Sequence, residues 1–204
     1  VSTSGILRFC QVLGYKGYKD FRFDMLHYLH QEHVEVNSEN LFDELTSKYL
    51  SVIRQFNNID QNKLNQLIKQ IKNTKNIYII GVHYSSLPAK HLVLGLQDLG
   101  INTYFAYDYM QASHLYNTIH EDDLLIYFSI EGNQNNVSRF FDLTNASKNT
   151  YIITLNPKPK LLIENTLILP GYTLSKQSIV DLQSIVVIFV ELLLNMFHNT
   201  LKED

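Results

Sequence analysis

From Lys75 to the C-terminus, short apolar runs alternate with segments of helical length, and this alternation limits the folds open to the chain more than any other feature. The runs fall at 76–80 (NIYII), 103–106, 124–128 (LLIYF), 151–154 (YIIT) and 167–169, and most carry β-branched residues with turn or cap residues nearby. Between them the spacing predicts helices over 86–99, 109–119 and 133–147, a short turn near Leu161, and a last helix over 176–199. Strands alternating with helices imply right-handed βαβ crossovers and a parallel sheet covered on both faces. LLIYF is apolar throughout, as a central strand buried on both sides requires. The expectation is an α/β fold with a five-stranded, parallel, doubly wound sheet flanked by helices and preceded by a helical segment.

Such sheets bind ligands beyond the carboxyl ends of their strands. Three polar or glycine-bearing turns lie at those ends: Gly81-Val82-His83-Tyr84-Ser85-Ser86, Ser129-Ile130-Glu131-Gly132-Asn133 and Thr154-Leu155-Asn156. Helix N-termini present free N–H groups and a positive dipole end, which suits anions. The hydroxyls of Ser85, Ser86 and Ser129 add donors. Serine and asparagine at a helix start also serve simply as caps, so each residue has two readings while the set of three turns points to a site.

Before Lys75 the pattern is helical. Segments 38–56 and 60–71 carry Leu41, Leu45, Tyr49, Val52 and Ile53, then Leu64, Leu67, Ile68 and Ile71, at helical spacing, with Ser38 as an N-cap. The polar stretch 31–37 reads as a linker. The 204 residues suffice for one good-sized core, and the single cysteine, Cys10, excludes an internal disulfide and fits a reducing, cytoplasmic setting. A formal charge of −3 gives no global attraction to nucleic acid or anionic membrane, so any DNA contact must be local. The polar start, with Gly5 and Arg8 early, does not read as a signal peptide. The greasiest stretch, 185–194, is shorter than the about 20 residues of a membrane span, and Asp181, Gln183 and Glu191 interrupt its surroundings. It reads as a buried or dimer-forming helix, with no membrane partner.

The first thirty residues are the most specific part. Ser2, Thr3 or Ser4 can cap a short helix whose apolar face is Ile6, Phe9, Cys10 and Leu13, and Gly14 stands at the C-cap position. A second helix follows from about Tyr18, with Phe21, Met25, Leu26 and Leu29 inward. A short helix with small polar residues at its start and Arg8 on its open side suits a major groove. Two helices do not bury such a face alone, so the segment reads as the end of a larger unit.

The run Arg8-Phe9-Cys10 followed by Leu13-Gly14-Tyr15-Lys16-Gly17-Tyr18-Lys19-Asp20-Phe21 resembles the end of the helix-turn-helix in the RpiR family of bacterial transcription regulators. Gly5 stands where that family usually has Thr. In the family the remainder is a sugar isomerase (SIS) domain of flavodoxin-like strand order, and residue 77 onward looks like one. Its first-loop pattern falls on Gly81 through Lys90, its acidic residue after the second strand on Asp108, its serine-rich loop on Ser129 through Gln134, and its fourth-strand Thr on Thr154. The resemblance implies residues 1–32 as the C-terminal part of a helix-turn-helix DNA-binding domain and 33–204 as a SIS domain with N-terminal helices over 38–73. It implies DNA contacts by Ser2, Thr3, Ser4, Arg8, Lys16 and Lys19, made within the full-length helix-turn-helix domain. Ligand contacts fall to His83, Ser85, Ser86, Ser129, Glu131, Gly132 and Asn133. The effector is a phosphosugar or related sugar, the assembly a homodimer or tetramer, and neither cofactor nor metal is called for. The 38–56 helix and the last helix are candidate interface elements, with core packing as the alternative for each.

Two departures matter chemically. His83 replaces the second glycine of the first loop, where backbone approaches ligand and positive φ is needed. Glu131 replaces a serine whose hydroxyl faces the sugar phosphate in the family. Two like charges 4 Å apart at an effective dielectric near 20 repel by about 4 kcal/mol, so a neighbouring cation is required, and His83 and Lys90 are the candidates. The site then binds a phosphosugar with Glu131 turned away, or a neutral or amino sugar, or nothing, leaving a dimerisation module. An isomerase needs a base such as Glu131 or His83, with His91, His114 and His120 nearby in sequence; the N-terminal segment favours a regulator without catalytic residues.

Overall fold

The structure is a computed structural model that describes residues 3–22, 25, 40–132, 149–160, 163–178 and 182–202. Five strands, β1 (Ile77–Gly81), β2 (Thr103–Ala106), β3 (Leu124–Phe128), β4 (Asn149–Thr154) and β5 (Thr166–Ile168), form one sheet in the order β2-β1-β3-β4-β5. Every pairing is parallel. The order reverses between β1 and β3, as in the flavodoxin-like arrangement expected from the sequence. Helices α1 (Thr3–Val12), α2 (Leu41–Arg54), α3 (Gln61–Asn73), α4 (Ser86–Asp98), α5 (Tyr109–Tyr116), α6 (Tyr172–Gln177) and α7 (Ser184–Thr200) accompany it.

The two faces of the sheet follow the period of two along each strand. Ile77 and Ile79 of β1, Leu124, Ile126 and Phe128 of β3, and Tyr151 and Ile153 of β4 share the large core with residues of α2, α3, α4 and α7. Tyr78, Ile80, Leu125, Tyr127 and Ile152 face the other way, where Ala112 of α5 and Ile119 meet them. The helix expected over 133–147 lies outside the described residues. Both central strands are buried at all five positions, which is why LLIYF needs no polar alternation.

The helix α3 shows how local sequence sets the start. Asp60 Oδ1 accepts from the N–H of Asn62 at 3.0 Å and of Lys63 at 3.1 Å, closing orphan donors of the first turn. Leu64, Leu67, Ile68 and Ile71 then fall on the buried face. Ser38 lies outside the described residues, and α2 begins after Asn40 with no side-chain cap. The bounds of β2 and β3 are those expected, and those of β1, β4 and β5 differ by one or two residues. The 109–119 helix stops at Tyr116, where Thr118 turns the chain and its carbonyl accepts the Tyr78 hydroxyl at 2.7 Å.

The last helix is two helices. Ser178 is extended, at φ −85° and ψ 146°, and ends α6. The hydroxyl of Ser175 accepts the N–H of Leu182 at 3.3 Å, just ahead of α7. Helix α7 buries Ile185, Val186, Phe189, Val190, Leu193 and Phe197, so its apolar stretch is core. Among the described residues no helix is long and apolar enough to cross a membrane.

At the N-terminus, Gly14 takes φ +88°. Its N–H donates to Gln11 O at 3.0 Å while that of Tyr15 donates to Cys10 O at 2.9 Å, the paired bonds of a left-handed helix stop. Phe9 and Tyr15 meet Phe21 edge-on at centroid distances of 5.6 and 5.4 Å. Cys10 is fully buried.

Leu67 is fully buried in the large core. Leu67→Ala should lower unfolding free energy by about 2–5 kcal/mol, read as a lower urea midpoint at unchanged slope, while the exposed Lys69→Ala stays within about 0.5 kcal/mol.

Candidate functional site

The site is framed by the loops that follow β1, β3 and β4. After β1 the chain runs through Val82 into a 3-10 turn over His83–Ser85 and directly into α4. A Cβ on Gly81 would lie 2.2 Å from the Ser85 carbonyl oxygen and 2.9 Å from Ala89 Cβ. Helix α4 therefore starts flush against the strand end, and only glycine fits. His83 takes φ +53°, the one positive-φ non-glycine residue among those described. The loop thus keeps a glycine-like backbone without glycine. The strain is about 1–2 kcal/mol, and the imidazole is exposed.

The β3 loop turns on its own backbone. Ser129 N–H donates to Ile153 O at 3.0 Å, and Gly132 N–H donates to Ser129 O at 3.0 Å. Ile130 N–H donates to the buried Ser85 hydroxyl at 3.5 Å, which joins this loop to the β1 loop. Ile130 O accepts from Leu155 N–H and from the Thr154 hydroxyl, each at 3.2 Å, which joins it to the β4 loop. Asn156 then clasps the turn, donating its side-chain amide to Glu131 O at 2.8 Å. Gly132 has φ +57°, and a Cβ there would lie 2.6 Å from Pro159 Cβ.

The charge of Glu131 is answered from a distant element. Its Oε2 lies 2.5 Å from Lys176 Nζ on α6, with the side chains 33% and 42% exposed respectively. The same ammonium stands 5.2 Å from the Tyr172 ring centroid. Burial pulls the Lys176 pKa down, but the hydrogen bond and charge of Glu131 outweigh it and the net shift is upward. The Arg22 guanidinium weakly opposes that rise. Lys176 is therefore an ammonium at neutral pH. An ion pair this open contributes about 0–1 kcal/mol to stability, so its weight lies in local charge balance.

The residues expected at the site separate as follows. Ser85, Ser129, Glu131 and Gly132 come together in the joined loops. Neither Ser85 nor Ser86 acts as a side-chain cap: Ser85 takes the Ile130 N–H, and Ser86 donates to His83 O at 2.6 Å. Asn133 lies outside the described residues. The cation of Glu131 is Lys176, where the sequence suggested His83 or Lys90. Asp108 caps α5, accepting Gln111 N–H at 2.8 Å. His91 faces Glu191 of α7 at 3.7 Å, and His114 is exposed on α5. His120 precedes β3, at the amino edge of the sheet, where its N–H donates to Asp123.

Beside the ion pair, a groove of about 380 Å³ opens at the carboxyl ends of β4 and β5, lined among others by Gln55, Asn58, Leu155, Pro157 and Tyr172. Its size is within the about 300–1,000 Å³ of small-molecule sites. Sequence reasoning missed Lys176, Tyr172 and this groove. Tyr172 and Lys176 lie 40 residues and more beyond Glu131, the groove draws on segments as far apart as Gln55 and Tyr172, and no local pattern marks them. Among the described residues no cluster of His, Cys, Asp or Glu is placed to hold a metal ion.

Of the candidate DNA-contacting residues, Thr3, Ser4 and Arg8 are exposed on α1, and Lys16 and Lys19 are exposed beyond it. Ser2 lies outside the described residues. The expected apolar face is only partly covered, with Phe9 55% exposed.

His83→Gly should relieve the left-handed strain and raise the melting temperature by about 2–4 °C, the shift that 1 kcal/mol gives a domain of this size. Differential scanning calorimetry of the two chains reads it directly, and an unchanged or lower value would mean that the imidazole makes compensating contacts.

No protein-family model matches the chain. It is 24% identical over 184 residues to an uncharacterised HTH-type transcriptional regulator of Providencia stuartii, covering 84% of this chain and 65% of that protein. The chain thus spans about two thirds of the length of this relative. Its fold matches the NanR protein of Vibrio vulnificus, solved complexed with ManNAc-6P, at a TM-score of 0.70 and 20% identity, over 100% of this chain and 76% of that one. It also matches the sugar isomerase domain of an RpiR transcription factor from Sphaerobacter thermophilus, at a TM-score of 0.63 and 16% identity, over 80% of this chain and 93% of that one. The resemblance to RpiR-type regulators read from the sequence therefore stands, and the fold is that of a SIS sugar-isomerase-like domain.

Proposed function

We propose that this chain is the effector-sensing part of an RpiR-type transcription regulator, with residues 1–32 as the end of its DNA-binding helix-turn-helix and residues 33–204 as its SIS domain. The observation that carries this reading is the convergence of the β1, β3 and β4 loops at the carboxyl edge of the sheet, through the Ser85–Ile130 and Thr154–Ile130 hydrogen bonds. Parallel α/β sheets take their ligands at that edge. A fold alone does not choose between a sensor and an isomerase. The titratable groups favour the sensor: Glu131 is held by Lys176, His120 lies at the opposite edge and His91 is engaged with α7, which leaves His83 alone exposed beside the joined loops.

The ligand is a sugar or sugar phosphate, bound by Ser85, Ser86, Ser129, Glu131, Gly132 and Asn133 with His83 at the rim. Thr3, Ser4, Arg8 and Ser2 contact DNA from the recognition helix, and Lys16 and Lys19 the phosphate backbone. Two-fold symmetry of an operator calls for a dimer, and the protein acts in the cytoplasm.

The test uses the full-length gene product on DNA from its own promoter region. It should bind a palindromic site, and a sugar from a panel of free and phosphorylated aldoses and ketoses should change that binding at least tenfold. Absence of any sugar effect on a bound operator would remove the sensing role. Turnover of aldose to ketose phosphate by the purified protein, lost in Glu131→Gln, would replace the regulator with an isomerase.

A further inference from the structure

The Glu131–Lys176 pair says which sugars the site accepts, granted that the joined loops are the ligand site. The β3-loop backbone donors that an incoming anion would use are already engaged. The N–H groups of Ser129, Ile130 and Gly132 donate to Ile153 O, the Ser85 hydroxyl and Ser129 O respectively. The Thr154 hydroxyl donates to Ile130 O, and that of Ser86 to His83 O. The ammonium of Lys176 is engaged too, with the Glu131 carboxylate on one side and the Tyr172 ring on the other. An anion arriving at Lys176 meets a carboxylate, and it must displace that carboxylate before it gains this cation. A hydroxylated, uncharged molecule meets no such barrier, because a carboxylate accepts hydrogen bonds from hydroxyl groups.

We propose that Glu131 is the specificity-determining residue of the site: an internal carboxylate that occupies Lys176, excludes phosphorylated sugars and admits unphosphorylated ones. The geometry that supports this is a two-sided hold on one ammonium. Tyr172, one turn earlier on α6, lies against the ammonium on its other side. The backbone at Glu131 is held in turn, because its carbonyl is clasped by Asn156 and the next residue, Gly132, is packed against Pro159. Removing the negative charge alone then leaves the Lys176 cation beside the loop. The openness of the pair means that the substitution does not threaten the fold.

Inorganic phosphate is the probe, titrated into the isotopically labelled chain and followed by amide chemical shifts. Three chains are compared: the natural sequence, Glu131→Gln, and Glu131→Gln combined with Lys176→Met. Circular dichroism melts show that each is folded. Phosphate should bind Glu131→Gln at least tenfold more tightly than the natural chain, with the largest shifts at the amides of Ile130, Gly132 and the 83–86 turn. Adding Lys176→Met should return affinity to the natural level. Equal phosphate affinity in the natural and Glu131→Gln chains, with shifts at those amides, overturns the proposal and leaves the site in place. So does tight binding that survives Lys176→Met. Phosphate binding to Glu131→Gln that shifts amides elsewhere overturns both the proposal and the location of the site, and absence of binding in all three chains overturns the proposal.

Discussion

The closeness of Gly81 to the Ser85 carbonyl is the contact on which the rest of the site depends. It leaves no room for a side chain at the end of β1, and it seats α4 directly on the strand. That seating turns Ser85 inward, where its hydroxyl meets Ile130 of the β3 loop. Ile130 in turn receives Leu155 and Thr154 from the β4 loop. One residue of the β3 loop therefore ties three strand ends into a single platform. The platform is made of backbone and buried hydroxyls, so its shape is fixed by strand register and is insensitive to the exposed side chains around it.

The same logic explains how His83 survives at a left-handed position. A bond from Ser86 to the His83 carbonyl and the packing of α4 on β1 hold the backbone on both sides, so the turn overrides the residue's own preference. The strain of about 1–2 kcal/mol is small beside the core, where β1 and β3 are buried at every position. A loop framed this firmly tolerates an unfavourable residue, and its conformation is set by its neighbours.

Much of the fold was legible. Apolar runs gave the five strands, and because β1 and β3 are central their runs were continuous and hard to misread. Asp60 marked the start of α3 and Gly14 the end of α1, since both act through local backbone bonds. The split between α6 and α7 was not legible, because no proline or glycine marks it. The site was legible in its frame and not in its charge. His83 and Glu131 stood out as substitutions within a pattern. Lys176 did not, because a salt link across 45 residues is made by strand order, and the sequence placed Lys176 at the start of a long helix.

Strand order also decides which charges meet at the carboxyl edge. Because β4 and β5 carry the chain to the β3 side of the sheet, α6 arrives with Tyr172 and Lys176 over the loop that holds Glu131. The pairing balances the Glu131 charge in a chain whose net charge of −3 offers no positive background. The hydrogen bonds that give the loops their shape are thus the same ones that engage the β3-loop donors, and strand order sets both these bonds and the ion pair beside them.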